Sequence, residues 1–106
     1  MEVIYLPQSI DSLEEQLFFL VTQLSYSIEK TEEIKGMLFD LADTLSKNPH
    51  LGQIEKSLSH LHQGHRRVIE GHFKIIYLIE GNHIYITDFF DTRQDPSKMK
   101  GELLPT

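Results

Sequence analysis

The spacing of the apolar residues changes abruptly along the chain, and this change constrains the fold more than any other feature. Between residues 10 and 45, apolar side chains recur every three or four positions, which is typical of amphipathic helices. From Arg66 to Phe90 they instead form short runs rich in β-branched and aromatic residues, which favour strands. The sequence therefore predicts an α+β protein in which a helical half is followed by a sheet.

Two helices are predicted in the N-terminal half, after a first strand at Glu2–Leu6 that ends at a proline. Apolar residues on one face mark the first helix from Ile10 and the second over Ile34–Leu45. The second helix must end before Pro49, because proline disfavours helical backbone in the residue before it. We place the connection at residues 25–27, which is short enough for an antiparallel helical hairpin.

The C-terminal half contains three apolar runs, at Arg67–Ile69, Phe73–Ile79 and Ile84–Phe90. Glu70-Gly71 and Gly81-Asn82 separate them, and Gly and Asn accept the positive φ of tight hairpin turns. Strands joined in this way form an antiparallel meander, and apolar residues on both faces predict that the middle run is a central strand. The predicted order is β-α-α-β-β-β, with a helical hairpin packed on a small, mainly antiparallel sheet.

The segments outside these elements carry weaker signals. Residues 49–64 combine glycines with Ile54, Leu58 and Leu61, which predicts a loop containing at most a short turn of helix. We expect residues 101–106 to form a C-terminal tail that becomes ordered only when it binds a partner. We therefore expect a single domain over residues 1–100.

Composition narrows the function classes. The net charge is −6, and residues 1–49 carry three Lys/Arg against nine Asp/Glu. An acidic chain argues against a strong non-specific nucleic-acid binder, which needs a basic face. Cysteine is absent, no apolar run approaches the roughly 20 residues of a membrane helix, and no secretion signal is evident. These features predict a cytoplasmic protein that does not contact a membrane.

Four basic residues lie on or beside the predicted strands: Arg66, Arg67, Lys74 and Arg93. In a meander such residues can converge on one surface. Clustered cations hold phosphates by charge-assisted hydrogen bonds, or pair with an acidic segment of a partner protein. The alternative is that each one is an ordinary solvated residue balanced by nearby acids.

Three histidines, His60, His62 and His65, form a second candidate cluster, because alternating imidazoles can ligate zinc. The stretch is predicted to be a loop, however, and Glu55 is the one carboxylate near it in sequence. Ordinary surface histidines are therefore the favoured interpretation, and no metal site is predicted. Since no nucleophile elbow, phosphate-binding glycine loop or dinucleotide motif occurs either, we predict no cofactor.

The predicted helices carry acidic residues that should form their solvated outer faces. Their aromatic residues Phe18, Phe19, Tyr26 and Phe39 are expected in the core or in the interface of the hairpin. If Phe18 or Phe39 lies outside the core, a homodimer interface or a partner groove is expected instead.

The order and spacing of these features resemble the RelE/ParE superfamily of toxins from bacterial type II toxin–antitoxin systems, especially its ParE-like, plasmid-stabilisation branch. The resemblance covers most of the chain and is strongest in the pattern R-R-x-x-x-G-x-x-x-I-x-Y over residues 66–77. The pattern R-x-D-P over residues 93–96 follows at the expected distance. The candidate binding residues on this basis are Arg66, Arg67, Lys74, Tyr77 and Arg93.

The resemblance implies one of two activities. RelE-like proteins cleave messenger RNA in the ribosome, with basic residues on the sheet and a C-terminal tyrosine or histidine. ParE-like proteins lack that full set and inhibit DNA gyrase. A cognate antitoxin neutralises both kinds, and its C-terminal segment wraps across the helices and the sheet.

Carried over by position, Arg66 or Arg67, with Lys74 and Arg93, resembles the basic residues of the ribonuclease branch. Arg67, Lys74 and Arg93 are the catalytic candidates if the chain cleaves RNA. Lys74 stands where that branch usually has arginine, which binds phosphate differently, and Met99 stands where it has tyrosine. These departures, with the acidic charge, favour a non-enzymatic, ParE-like toxin. A ribosome-dependent endoribonuclease is the second hypothesis, and a non-toxic partner-binding protein of the same fold is the third.

Overall fold

The computed structural model describes residues 1–102, which form one five-stranded sheet and two helices. The strands are β1 at Glu2–Tyr5, β2 at Gln53–Ile54, β3 at Arg66–Glu70, β4 at Phe73–Glu80 and β5 at His83–Asp91. They lie in the order β1-β5-β4-β3-β2, and all neighbours are antiparallel except the parallel pair β1 and β5. The predicted α+β fold and its element order are confirmed, and β2 is a short strand that the sequence did not predict.

Two helices follow β1, at Pro7–Leu24 (α1) and Ile28–Thr44 (α2). Pro7 suits the first position of a helix, where its missing N–H costs no hydrogen bond. The chain leaves α1 at Ser25, which has a left-handed φ of 59°, and the Ser27 hydroxyl then caps α2 by accepting from the Lys30 amide at 3.0 Å. The connection therefore lies at residues 25–27, as predicted. No helix within residues 1–102 is long and apolar enough to cross a membrane.

Both hairpin turns of the meander begin with a glycine at positive φ, 57° at Gly71 and 60° at Gly81. The first turn consists of Gly71 and His72 rather than the predicted Glu70-Gly71, because Glu70 still pairs with Phe73. The central position of β4 is confirmed, since it pairs with β3 on one side and β5 on the other.

The helices cover one face of the sheet and form the main core with it. Tyr5, Phe39 and Phe89 pack together there, with ring centroids 5.2 Å apart for Tyr5 and Phe39 and 5.7 Å apart for Phe39 and Phe89. The buried apolar side chains of this core are Leu13, Leu17, Leu20, Leu38, Ala42, Leu45, Val68, Phe73, Ile75, Tyr77, Ile84, Ile86 and Phe89. Burial of each larger side chain contributes about 1.5–3 kcal/mol.

The second face of the sheet carries a smaller apolar cluster of Leu58, Ile76, Phe90 and Met99. Leu58 belongs to a 3₁₀ helix at Lys56–Leu61, which confirms the short helical turn predicted in this loop.

Side chains of the fold hold the C-terminal segment, residues 99–102, against this second face. The contacts are Lys100 N–H to Asp88 Oδ2 at 2.9 Å, His65 Nε2–H to the Gly101 carbonyl at 2.6 Å, and Gln8 Nε2–H to the Glu102 carbonyl at 2.6 Å. The prediction that the tail orders only on a partner is therefore wrong for residues 101 and 102. Residues 103–106 lie outside the described part of the chain.

A glutamine from α1 closes the open edge of β5. Strand β1 pairs with β5 only as far as Ile86, so the last residues of β5 have no neighbouring strand on that side. Gln16 takes the place of the missing strand. Its side-chain oxygen accepts a hydrogen bond from the Asp91 backbone amide at 2.6 Å, and its side-chain NH₂ group donates one to the Phe89 carbonyl. This contact fixes the end of β5 against α1, just before Arg93.

Candidate functional site

The five candidate binding residues do not form one cluster. Because side chains alternate along a strand, Arg66 and Tyr77 lie on the face covered by the helices, and Arg67 and Lys74 lie on the second face. Arg93 follows β5 and lines cavities together with residues of α1 and α2. The predicted convergence of all the cations is therefore wrong, and within the described chain only Arg67 and Lys74 share an acidic partner.

That partner is Glu55, a carboxylate that is only 3% exposed between β2 and the 3₁₀ helix. Lys74 Nζ lies 2.8 Å and Arg67 Nη1 lies 3.9 Å from its Oε1 atom. The other carboxylate oxygen accepts from the Ser57 amide at 3.2 Å and so caps the 3₁₀ helix. One acid thus neutralises both cations while it also anchors the backbone.

These contacts govern the titration of Glu55. Burial alone would raise the pKa of this carboxyl, because burial disfavours the charged form. The hydrogen bonds from Lys74 and the Ser57 amide, with the charges of Lys74 and Arg67, outweigh burial and lower the pKa below its ordinary value. Glu55 is therefore ionised at neutral pH and pairs with both cations.

Arg67 is held by β2 as well as by Glu55. Its Nη1 donates to the Ile54 carbonyl at 2.6 Å, and its Nη2 donates to the Gln53 side chain at 3.2 Å. These two hydrogen bonds fix the guanidinium, and its side chain is only 23% exposed, so a phosphate has little access to the remaining N–H groups. Its contacts fit a residue that attaches β2 to the sheet.

Tyr77 and Arg66 support the same short strand from the other face. The fully buried Tyr77 hydroxyl donates to the Pro49 carbonyl at 2.8 Å and accepts from the Gly52 amide at 2.9 Å. Arg66 Nη1 donates to the Gly52 carbonyl at 2.6 Å. Burial raises the pKa of Tyr77, so its hydroxyl stays protonated. These contacts give Tyr77 and Arg66 a structural role, although both were predicted from the sequence to be binding residues.

Arg93 has a different environment. Its Nε and Nη2 atoms donate to the two oxygens of Asp91 at 3.0 and 2.7 Å, and its own amide also donates to that carboxylate at 2.9 Å. Burial would raise the pKa of Asp91, but the hydrogen bonds and charge of Arg93 outweigh it and lower that pKa. Asp91 is nearly buried, whereas the Arg93 side chain is 40% exposed. The pair therefore fixes a guanidinium that still faces solvent.

Two cavities meet at Arg93. The first, of about 240 Å³, lies between the helical hairpin and the β3–β4 turn and is mainly apolar, with Tyr26 and Ile34 among its walls. The second, of about 590 Å³, lies beside α1 and includes Phe19 and Leu24. We call these two cavities together the Arg93 groove.

The aromatic residues of α1 do not lie where the sequence predicted. Phe18 is 69% exposed and Phe19 is 50% exposed, so their assignment to the core is wrong. They occupy the outward side of α1, because Leu13, Leu17 and Leu20 supply the buried face. Since Phe18 lies outside the core, the condition that we set for a dimer interface or partner groove is met.

The three histidines do not form a cluster, and His65 and Met99 have structural roles. His60 and His62 are exposed, and His65 is buried with its Nε2 on the Gly101 carbonyl, so the three do not point to one centre. Within residues 1–102, no group of three His, Asp or Glu side chains is arranged to hold a metal ion. Met99, which matches the catalytic tyrosine of the ribonuclease branch, is buried in the second-face cluster.

Asp88 is a third carboxylate, and it differs from Glu55 and Asp91. It is 2% exposed on the second face, and among the described residues its Oδ1 has no hydrogen-bond partner. Burial raises its pKa to about 6, since the Lys100 amide opposes that effect only in part. Within residues 1–102, Asp88 forms no ion pair with a basic side chain, and the charge of Lys100 offsets the effect of burial only in part.

The sequence did not identify Glu55 as the acid that positions Lys74 and Arg67. Glu55 lies in a stretch predicted to be a loop, and its distance of 19 residues from Lys74 conceals their contact. Asp91 was among the acids expected to balance the cations, with Glu70 and Asp88, and it does bind Arg93.

No protein-family model matches the chain, and a search of curated proteins gives no match. The side-chain contacts described above and the resemblance in the sequence are therefore the grounds for assigning a function to the chain.

Proposed function

We propose that the protein is the toxin of a type II toxin–antitoxin pair of the ParE-like kind. It acts by binding an essential protein, with DNA gyrase as the first target to test, and a cognate antitoxin neutralises it. The resemblance in residues 66–77 and 93–96 suggests the superfamily, and the β-α-α order followed by the meander of β3, β4 and β5 fits it. The choice between binding and RNA cleavage depends on the state of the basic residues.

The buried carboxylate of Glu55 is the observation that favours partner binding over RNA cleavage. A phosphoryl-transfer site needs cations aimed at the charge that develops on the phosphate. Here Lys74 and Arg67 are directed to Glu55 instead, and a phosphate that approached them would meet its negative charge. The geometry thus favours a binding protein over a ribonuclease.

The remaining ribonuclease candidates also have other contacts. Arg93 is bound to Asp91 near the helices, away from the face that carries Lys74. The buried thioether of Met99 offers no proton for a general acid, a role that tyrosine or histidine would fill. A working nuclease centre would require rearrangement of all these contacts.

The test is controlled expression in bacterial cells, with growth, plasmid supercoiling and messenger-RNA integrity scored separately. We expect growth arrest with altered supercoiling and no early loss of messenger RNA. Normal growth at high expression would contradict a toxin, and arrest without a change in supercoiling would contradict gyrase as the target. The double variant Lys74→Met with Arg67→Met serves as a control once circular dichroism shows that it folds, because a folded variant should lose arrest only if the protein is a nuclease that needs these cations.

A further inference from the structure

The Arg93 groove contains a preorganised cation beside apolar walls. Hydrogen bonds to Asp91 use two of the five N–H groups of the guanidinium and fix its plane. Tyr26 lies beside the same guanidinium, and the exposed fraction of the side chain shows that solvent still reaches N–H groups that Asp91 does not use and that can bind a second carboxylate. Arginine held in this way binds a carboxylate with little further loss of side-chain freedom.

The two cavities of the groove lie on either side of this arginine. The first is mainly apolar, with Leu20, Ile34, Met37, Leu38 and Phe73 in its walls. Its volume of about 240 Å³ is enough for one large apolar side chain. The second is wider and presents the exposed aromatic ring of Phe19 and the side chain of Leu24.

The charges around the groove favour an acidic group at its centre. Arg93 borders both cavities, Lys30 borders the first one, and Lys98 borders the second one. Of the acids in the lining, Asp91 is neutralised by Arg93, while Glu15 and Glu70 each border only one cavity. A ligand carboxylate is therefore most favourable between the cavities, where it meets the guanidinium.

We propose that the Arg93 groove binds a segment of a partner protein that carries an acidic residue between two apolar residues. One apolar side chain enters the first cavity, the carboxylate pairs with Arg93, and the second apolar side chain packs on Phe19 and Leu24. Exposed apolar surface rimmed by charged residues is typical of protein interfaces, and Phe19 is 50% exposed at the second cavity, which is why the occupant is a peptide segment. The identification of that partner as an antitoxin or toxin target rests on the proposed function, whereas the binding chemistry does not.

The experiment is selection of random 12-residue peptides displayed on phage, with the purified full-length chain as bait. We expect the recovered peptides to share one Asp or Glu flanked by large apolar residues. Synthetic versions should bind Arg93→Gln at least tenfold more weakly than wild type, as expected for loss of a charged hydrogen-bonding partner. Ile34→Phe, which fills the first cavity, should weaken binding to a similar extent.

Lys56→Gln is the matched control, since it also removes one exposed positive charge but lies in the 3₁₀ helix on the second face. Its binding should equal that of wild type, and circular dichroism should show that all variants fold. The inference is overturned if the recovered peptides lack an acid, or if Arg93→Gln binds them as well as wild type does.

It is also overturned if sedimentation shows a dimer that Arg93→Gln abolishes and the selection yields no peptide, because the occupant is then a second copy. Phenylacetate binding without any peptide recovery would point to a small carboxylate and would likewise contradict a peptide segment. No growth assay enters this test. If no peptide binds the groove, the proposed toxin function is not contradicted. If expression of the protein is not toxic, the peptide-binding result is likewise unaffected.

Discussion

Two carboxylate–cation sites in this molecule use the same chemistry for different ends. Glu55 is buried, and its two cations, Lys74 and Arg67, are only 21% and 23% exposed. Asp91 is also nearly buried, but its single partner Arg93 is 40% exposed at the edge of a groove. The first arrangement closes the cations off from a ligand, and the second prepares one for a ligand. A count of basic residues in the sequence does not distinguish these two cases.

Asp88 gives the comparison its strongest test. Glu55 and Asp91 are ionised because each is paired with a cation, whereas Asp88 is buried without an ion pair among the described residues. Its pKa of about 6 in the folded protein lies above the ordinary value of 3.8. Its contribution to stability is therefore greatest below about pH 4 and is lost as the pH rises through about 6. Asp88→Asn should raise the free energy of unfolding at pH 7.5 by up to about 3 kcal/mol.

Urea unfolding of wild type and Asp88→Asn at pH 4 and pH 7.5 measures this effect. The variant should gain stability at pH 7.5 and little at pH 4, which flattens the pH dependence between these values. Equal pH dependence in both proteins would mean that Asp88 is neutralised in a way that the described contacts do not include.

We call Glu55, Lys74 and Arg67 the closed site, and replacement of Glu55 should make its two cations available to a ligand. Glu55→Gln leaves Lys74 and Arg67 without their negative partner and should destabilise the fold by about 2 kcal/mol at pH 7. The pKa of Glu55 is lowered in the folded protein, so its contribution to stability is present above its ordinary pKa and is lost as the pH falls through the folded-state value. Chemical unfolding at pH 7 and at acidic pH should therefore show a variant effect that shrinks in acid.

The same variant sharpens the comparison in binding. Once the negative charge is removed, Glu55→Gln should bind single-stranded RNA more tightly than wild type, with a steeper dependence on salt. Glu80→Gln removes an exposed acid at the end of β4 and is the matched control. If it raises RNA affinity as much as Glu55→Gln does, the effect reflects net charge and not the closed site.

Arg93→Gln should have the smallest effect on stability. Its guanidinium is substantially exposed, and exposed ion pairs contribute at most about 1 kcal/mol. The thermal unfolding midpoint should accordingly fall by only a few degrees. A loss of several kcal/mol would show that Arg93 supports the fold, and the contrast between the two sites would disappear.

Local signals in the sequence were sufficient for the elements of the fold. Apolar periodicity predicted both helices and the three strands of the meander, and the alternation along Phe73–Ile79 predicted its central place. Strand β2 could not be predicted, since two residues carry no period and their pairing depends on distant contacts with Tyr77 and Arg66. The exposed Phe18 was misassigned because hydrophobicity alone does not show which face of a helix meets the core.

The candidate site was predicted less well than the fold, for a related reason. Alternation along β3 separates Arg66 from Arg67, which adjacency in sequence had suggested would act together. The acid that decides the role of Lys74 and Arg67 comes from another element, since Glu55 precedes the 3₁₀ helix, whereas Arg93 binds Asp91 only two residues away. Sequence patterns identified which residues carry charge, but the partner of each charge depends on tertiary structure.

The most direct test of the central claim, that this chain binds a partner and does not cut RNA, is to map messenger-RNA ends on translating ribosomes supplied with the purified protein. We predict that the ends formed with wild type match those formed without protein, because Glu55 occupies the cations that cleavage would need. New ends within the coding sequence that appear with wild type and vanish with Lys74→Met would contradict that claim.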